Sequence, residues 1–237
     1  MPFRKTMSRV LLAAALSLTA AQPLSDLIEV TGTVVDFNNV PIEGASVQFK
    51  NEKFTDLEAA TTNARGEFHV RLPNRRYTVF AVRDYGKNYL EYWHWNYQPS
   101  PEKPLRIKID GIELYGMKAW TAGSTELPSL VVYFRPMSLQ RWKDAGSPGK
   151  DELPKSGHIN IAPHFTANDV TATLNSAPLE ILGLNSVKEY VKSDLSIQAF
   201  LIHLKLVKGS LSLPRGTICL TVHDPEISEF GMGCLDL

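Results

Sequence analysis

The sequence ASVQFK at residues 45–50 alternates apolar and polar side chains at every position. The same alternation runs through residues 67–72, where Phe68, Val70 and Leu72 are apolar and the residues between them are polar. A period of two places the apolar side chains on one face of an extended strand. One buried face is typical of antiparallel sheets. These two stretches therefore predict half-buried antiparallel strands.

Similar short runs extend outward from this centre in both directions. They lie at 29–35, 77–82 and 105–110, and again at 130–134, 159–161, 170–174, 200–206 and 218–222. No long stretch has a helical period, and turn residues separate the runs, which is typical of β-sandwiches. The alternation weakens over 114–126, and 237 residues suit two small domains. We predict an all-β protein with two tandem antiparallel β-sandwich domains, at 28–113 and 127–237.

Two short stretches are compatible with either helix or loop. Ser186–Glu189 has the spacing of a capping box, in which a serine caps a helix and a glutamate three residues later reaches back. Residues 138–145 have room for two helical turns. The segment 143–156, rich in Gly, Pro, Asp and Lys, is predicted to be a surface connection.

Four elements occur in order in the first predicted domain: Gly32–Asp36, Pro41–Val47, Thr61–Phe68 and Tyr77–Ala81. Glycines within them lie where a turn or a close backbone approach is expected. Together these elements resemble the carboxypeptidase regulatory-like domain over residues 28–110. The resemblance implies a transthyretin-like β-sandwich that serves as a non-catalytic module of an exported protein.

The end of the chain carries a second resemblance. Leu213–Asp224, followed by Gly231 and a short strand, is similar to the end of bacterial immunoglobulin-like domains. In those domains a glycine-rich turn follows the aspartate, whereas here Pro225–Phe230 occupies that place.

The amino terminus has the three parts of an export signal. Three basic residues, Arg4, Lys5 and Arg9, precede the apolar run Val10–Leu18, and the small residues Thr19–Ala21 follow it. We predict a signal peptide over 1–21 that is cleaved. The alternative is an uncleaved anchor, but a spanning helix needs about 20 apolar residues. No later stretch approaches that length, so we expect no membrane span after cleavage and a secreted or periplasmic protein.

The charge balance excludes one class of partner. The chain has 25 basic and 25 acidic residues, and loss of the signal leaves 22 basic against 25 acidic. A mildly acidic protein lacks the electrostatic footprint of a nucleic-acid-binding protein. We therefore expect no nucleic-acid partner.

The two cysteines are predicted to be bonded. Cys219 and Cys234 lie 15 positions apart, one in each arm of the last hairpin. In each strand the cysteine lies on the face opposite to the apolar side chains. Cysteines on the same face of paired strands can bridge when they are directly opposed. Two unpaired thiols are the alternative. Without nearby clustered histidines, a zinc site is not expected.

No local motif predicts catalysis. The sequence has no Gly-x-Ser-x-Gly elbow, no His-Glu-x-x-His and no phosphate-binding glycine loop. His158 and His164 are close in sequence and could share a metal with Asp169, but metal sites need three or four converging groups. We therefore assign no catalytic residue, no metal site and no cofactor.

The segment 85–103 interrupts the first domain with a different composition and is interpreted as an aromatic insertion. Its candidate ligand- or partner-binding residues are Tyr89, Tyr92, Trp93, Trp95 and Tyr97. Exposed aromatic rings stack on sugars or fill a partner's pocket. The alternative is that Trp93 and Trp95 cover a domain interface together with Trp120.

The sequence thus indicates an exported, non-catalytic binding, adhesion or accessory protein whose partner is a glycan or another exported protein. A glycan-binding surface requires Trp93 or Trp95 to be largely exposed. The alternative is a hydrolase-type enzyme with its site at the domain junction, which requires two or more titratable groups converging in a cleft.

Overall fold

A computed structural model describes residues 27–147, 154, 156–208 and 212–237 and shows a protein made almost entirely of strands. The strands are β1 (Leu27–Val35), β2 (Ser46–Lys50), β3 (Asp56–Thr61), β4 (Glu67–Pro73), β5 (Tyr77–Val82), β6 (Tyr92–Tyr97), β7 (Leu105–Lys108), β8 (Ile112–Gly123), β9 (Pro128–Ser138), β10 (Gly157–Ile159), β11 (Val170–Leu174), β12 (Ala177–Pro178), β13 (Ile181–Lys192), β14 (Leu195–Lys205), β15 (Thr217–Asp224) and β16 (Glu229–Asp236). The helix α1 spans Leu139–Asp144, and a 3₁₀ turn spans Ala167–Asp169. The all-β prediction is confirmed.

The first half of the chain forms a sandwich around one core. A small sheet with the order β4-β1-β7 faces the β2, β5 and β6 part of a larger sheet. Val30 and Val34 from β1 meet Val47 and Phe49 from β2, all fully buried, because each strand alternates as the sequence predicts. Burying a side chain of this size contributes roughly 1.5–3 kcal/mol.

A second core lies between β8, β9 and β14 on one side and β11 and β15 on the other. Leu114, Val132 and Ile202 from the first group pack with Ala172 and Leu220 from the second. The first core draws mainly on residues 30–109 and the second on 112–235, yet the larger sheet runs through both. The division into domains at 28–113 and 127–237 stays a prediction.

Strand β16 joins the two halves. Along one edge it pairs antiparallel with β15. Along the other edge it pairs in parallel with β8 through Gly231–Met232 and with β6 through Gly233–Leu235. Among the described strands, β1–β7 and β10–β14 are also parallel pairs, so the sheets are mixed although most pairings are antiparallel.

Three local expectations are corrected. The weak stretch 114–126 is mostly strand β8, whose alternation is broken by a register shift between Tyr115 and Lys118. Ser186–Glu189 belongs to strand β13 rather than to a helix. The aromatic insertion 85–103 contains β6, which pairs with β5 inside the larger sheet.

The stretch 138–145 is helical. Helix α1 begins after Ser138, whose side-chain oxygen accepts a hydrogen bond from the Arg141 backbone N–H at 3.2 Å. This serine is the N-cap that satisfies one of the free amides in the first turn.

The predicted signal peptide at 1–21 lies outside the described residues, as does part of the predicted connection 143–156. Within the described part of the chain, no helix has the length and apolarity to cross a bilayer.

Candidate functional site: the two faces of strand β6

The five aromatic residues predicted as one site are divided between different surfaces. Along β6, Tyr92 points toward the first core, whereas Trp93 and Trp95 lie on the opposite face of the sheet, because successive side chains of a strand alternate. Tyr97 returns to the face of Tyr92 because Asn96 adopts a left-handed backbone (φ 58°) where the register with β5 shifts.

Tyr89 lies before β6 and packs half-buried against the first core. Burial raises its pKa, with the carboxylates of Asp36, Asp110 and Asp84 adding to the effect. It therefore packs on the same core as Tyr92 and Tyr97 but lies outside strand β6.

On one face of β6, a cleft of about 870 Å³ opens between the two halves of the chain. Its floor includes the buried rings of Tyr92 and Tyr97 and the Cys219–Cys234 disulfide. Residues 76–106 from the first half and 173–237 from the second line it. A cleft of this size is in the range of small-molecule sites.

A buried His–Asp pair lies in this cleft. His94 Nε2 is 2.9 Å from Asp236 Oδ1, and its Nδ1 is 3.4 Å from the Tyr92 hydroxyl. The Thr217 hydroxyl donates to the same carboxylate at 2.5 Å, and the Gln98 backbone N–H donates to Oδ2 at 2.7 Å. Burial alone would raise the pKa of Asp236, but these hydrogen bonds and the nearby His94 hold it below its usual value.

The exposed rim of the cleft is positively charged. Its four basic side chains are Arg76, Lys103, Arg106 and Arg215. None of them forms an ion pair within the described part of the chain; the polar contact of Arg76 is to the Asn96 carbonyl at 3.1 Å. Asp236 is the one side-chain carboxylate among the described lining residues, and it is already bonded. The cleft therefore carries net positive charge in a chain whose formal net charge is zero.

The opposite face of β6 carries an aromatic cluster, which consists of Phe54, Phe80, Trp93, Trp95 and Tyr115. The two indoles are stacked at 5.2 Å, and the Tyr115 ring meets both edge-on, at 5.2 and 5.1 Å. Trp93 is only 6% exposed, so the condition that it be largely exposed is not met, while Trp95 is partly exposed.

Trp120, expected to share an interface with these rings, lies on β8 and is 43% exposed. No ring contact joins it to Trp93 or Trp95 within the described residues. Trp93 instead packs against Phe80 and Tyr115, and the interface with Trp120 stays a prediction.

Two glutamates lie beside the aromatic cluster. Burial raises the pKa of Glu113 to about 8, and the Glu91 carboxylate adds to this; burial likewise raises the pKa of Glu91 to about 7. The Trp93 indole N–H and the Arg135 guanidinium act in the opposite direction on Glu113. Sequence reasoning missed this pair because the two residues are separated by 22 positions and belong to different elements.

The histidines considered for a metal do not converge. His158 Nδ1 lies 3.0 Å from the Ser196 hydroxyl, and His164 Nδ1 lies 2.8 Å from Glu226. Asp169 instead accepts hydrogen bonds from Thr166 in the 3₁₀ turn. Among the described residues, no group of three His, Cys, Asp or Glu side chains could hold a metal ion.

The disulfide prediction is confirmed. Cys219 and Cys234 are directly opposed in the β15–β16 pair, with Cα atoms 4.1 Å apart. The face that carries them is not open to solvent as its polar parity indicated, because the first core covers it and leaves Cys234 2% exposed.

Comparison with known protein families gives a match to part of the first sandwich. Residues 29–92 match the carboxypeptidase regulatory-like domain. The match confirms the resemblance drawn from the four sequence elements and covers β1 to β5 and the start of β6. The matched segment thus forms part of the first sandwich, and the cleft lies where this sandwich meets the last hairpin.

Solved structures share the fold only distantly. A DUF3823 family protein from Bacteroides ovatus ATCC 8483 is 8% identical with a TM-score of 0.28, over 89% of this chain and 99% of that one. BcpA, the major pilin subunit of Bacillus cereus, is 12% identical with a TM-score of 0.27, over 89% and 69%. At these scores the similarity carries no functional information. No curated protein matches the chain. The resemblance of the second half to bacterial immunoglobulin-like domains stays a prediction.

Proposed function

We propose that this protein is an exported, non-catalytic binding protein that holds an anionic ligand in the cleft between its carboxypeptidase regulatory-like domain and the β15–β16 hairpin. The observation that carries the proposal is the set of four basic side chains around the cleft that have no ion-pair partner within the described residues. Unpaired guanidinium groups at a cleft attract and orient anions.

The arrangement of His94 supports binding over catalysis. His94 and Asp236 do converge in a cleft, which is the requirement for the alternative of a hydrolase at the domain junction. A general base, however, needs a free nitrogen within hydrogen-bond reach of its substrate. Both nitrogens of His94 face protein groups, and the Thr217 hydroxyl bonds to Asp236 rather than to His94. The pair therefore serves to position the hairpin against β6.

The chemistry of the rim indicates the ligand class. Three of its four cations are arginines, whose planar forks bind carboxylate or sulfate groups bidentately. Pro99, Pro104 and Leu105 supply apolar surface between them. We infer a ligand that combines carboxylate or sulfate groups with an apolar backbone, which both an acidic oligosaccharide and an acidic peptide provide.

Isothermal titration calorimetry on the full chain tests the proposal with hexagalacturonate and hexaglutamate as separate probes. Binding of either is expected to weaken about tenfold or more in a doubly substituted Arg106→Gln, Arg215→Gln variant and to weaken with added salt. The matched control is Lys118→Gln, which removes an exposed lysine on β8 outside the cleft. Binding that the double variant leaves unchanged would refute the assignment of the cleft, and the stronger probe identifies the ligand source.

A further inference from the structure

Buried polar atoms without partners are concentrated at one place in this molecule. Among the described residues, five buried side-chain nitrogen or oxygen atoms make no hydrogen bond. Four of them belong to Trp93, Trp95, Glu113 and Arg135, around the aromatic cluster. Since buried polar groups in proteins are nearly always paired, a concentration of unpaired ones indicates a partner that the chain itself does not supply.

The contacts show that these four atoms share one neighbourhood. The Arg135 guanidinium lies 4.4 Å from the centre of the Tyr115 ring, which contacts both indoles. The Trp93 N–H lies beside the carboxyls of Glu113 and Glu91 and lowers the pKa of both, but it forms no hydrogen bond of good geometry with either.

The unpaired groups define the chemistry of the missing partner. Two indole N–H groups and a guanidinium N–H are donors, whereas the Glu113 carboxyl, kept protonated at neutral pH by burial, can donate or accept. A hydroxyl group can accept a hydrogen bond from these donors and can also donate one to the Glu113 carboxyl. Arg135 is paired with Glu189 at 2.9 Å, so no free cation is left here for an anion, and burial raises the pKa of Glu91 to about 7, which leaves little negative charge for a cation. A partner with hydroxyl groups and a flat apolar face, suited to stacking on indoles, is a sugar ring.

The Phe54 ring covers this site, and its surroundings allow the ring to be displaced. Its ring is 44% exposed and meets Trp93 and Trp95 edge-on, at 5.9 and 6.2 Å. Its backbone is left-handed (φ 60°), which is strained for a bulky side chain. The conformation of this turn does not depend on the Phe54 ring, because the Asn51 side chain accepts hydrogen bonds from two backbone amides of the turn.

We propose that the face of β6 that carries the aromatic cluster is a second binding site, distinct from the cleft. It binds an uncharged saccharide on Trp93 and Trp95 when the Phe54 side chain moves away. The ligand hydroxyls then pair with the indole N–H groups and the Glu113 carboxyl. This site stands on different residues and different chemistry from the anionic cleft, so either can fail without the other.

The test uses the full chain with ¹⁵N-labelled tryptophan and three neutral probes: cellohexaose, xylohexaose and maltohexaose. The indole N–H signals of Trp93 and Trp95 are expected to shift with at least one probe, while those of Trp120 and Trp142, which lie elsewhere, stay in place. The Arg106→Gln, Arg215→Gln variant is expected to give the same shifts.

Removing the cover distinguishes this mechanism from simple surface contact. Phe54→Ala deletes the ring that must be displaced and is expected to tighten binding by about threefold to tenfold. Phe37→Ala, a matched control in another turn where the ring stacks on Phe230, is expected to leave affinity unchanged. Absence of a shift with all three probes in both wild type and Phe54→Ala would mean that buried water alone pairs these atoms, and would overturn the proposal. Weaker binding in Phe54→Ala would overturn the role of Phe54 as a cover.

Discussion

Replacing Glu113 by Gln is expected to remove about half of the pH dependence of stability between pH 5 and pH 8.5. Glu113 is 2% exposed, and burial raises its pKa to about 8. The charged and titratable groups around it are Glu91, which raises this pKa further, and Arg135, which lowers it. Tyr85, on the adjoining loop, also feels both carboxylates.

The sign and size of the effect follow from proton linkage. An unfolded glutamate has a pKa of about 4.3, so above that pH the unfolded chain releases a proton that the folded chain keeps. The folded state then binds more protons, and stability falls as pH rises from about 4.5 until it levels off near the folded pKa of about 8. At about 1.4 kcal/mol per pH unit, the loss from pH 5 upward is about 4 kcal/mol for Glu113, and Glu91, whose pKa burial raises to about 7, adds about 3 kcal/mol of the same sign. Asp224 and Asp236, whose pKa values are lowered, act with the opposite sign, and only at more acidic pH.

Urea unfolding at five pH values from 5 to 8.5, followed by circular dichroism, measures this directly. Wild type is expected to lose about 7 kcal/mol across the range and Glu113→Gln about 3 kcal/mol, the part that comes from Glu91. Glu58→Gln, on the exposed strand β3, is the matched control and is expected to keep the wild-type slope. Equal wild-type stability at both ends of the range, or an unchanged slope in Glu113→Gln, would refute the reasoning.

Three further perturbations test the packing. Cys219→Ala should lower the free energy of unfolding by about 2 to 5 kcal/mol, and reductant should lower the melting temperature of wild type but not of the variant. Trp93→Ala should cost about 3 to 5 kcal/mol because its ring is 6% exposed, whereas Trp120→Ala, at 43% exposed, should cost less than about 1 kcal/mol in the same thermal melts. Gly231→Ala places a Cβ 2.5 Å from a backbone oxygen of β8 and should destabilise measurably, while Gly183→Ala, with nothing within 4 Å, should not; equal effects would contradict the close approach of β16.

Much of the fold could be predicted from period-two alternation, and the exceptions have physical reasons. Period-two alternation does not reveal strand β6. Most of its side chains are buried on both faces of the sheet, so polar and apolar residues do not alternate along it. Strand β8 looked like a connection because a bulge around Gly116, with φ 69°, inverts its parity midway. Strand β13 lies at an exposed edge of the sheet and is rich in polar residues. The spacing of Ser186 and Glu189 within it therefore matches the pattern of a helix start, although the segment is extended.

The candidate sites were less accessible to sequence reasoning. The aromatic residues of β6 were found, but only the strand assignment reveals that Tyr92 and Trp93 serve opposite faces. The cleft joins Arg76 and Arg106 to Arg215, more than 100 residues later, through the pairing of β16 with β6. No local pattern predicts such a juxtaposition.

The position of β16 has a consequence for the order in which the protein folds. Gly233–Leu235 complete a ladder begun by Trp93–Trp95, about 140 residues earlier, so the sheet of the first domain lacks a neighbour on one side until this hairpin has been made. Contacts of such long range slow folding, because the chain entropy of closing the loop is lost before the contacts form. The first half of the chain therefore keeps an unpaired β6 edge until the last hairpin has been synthesised, and such an edge can pair with other chains.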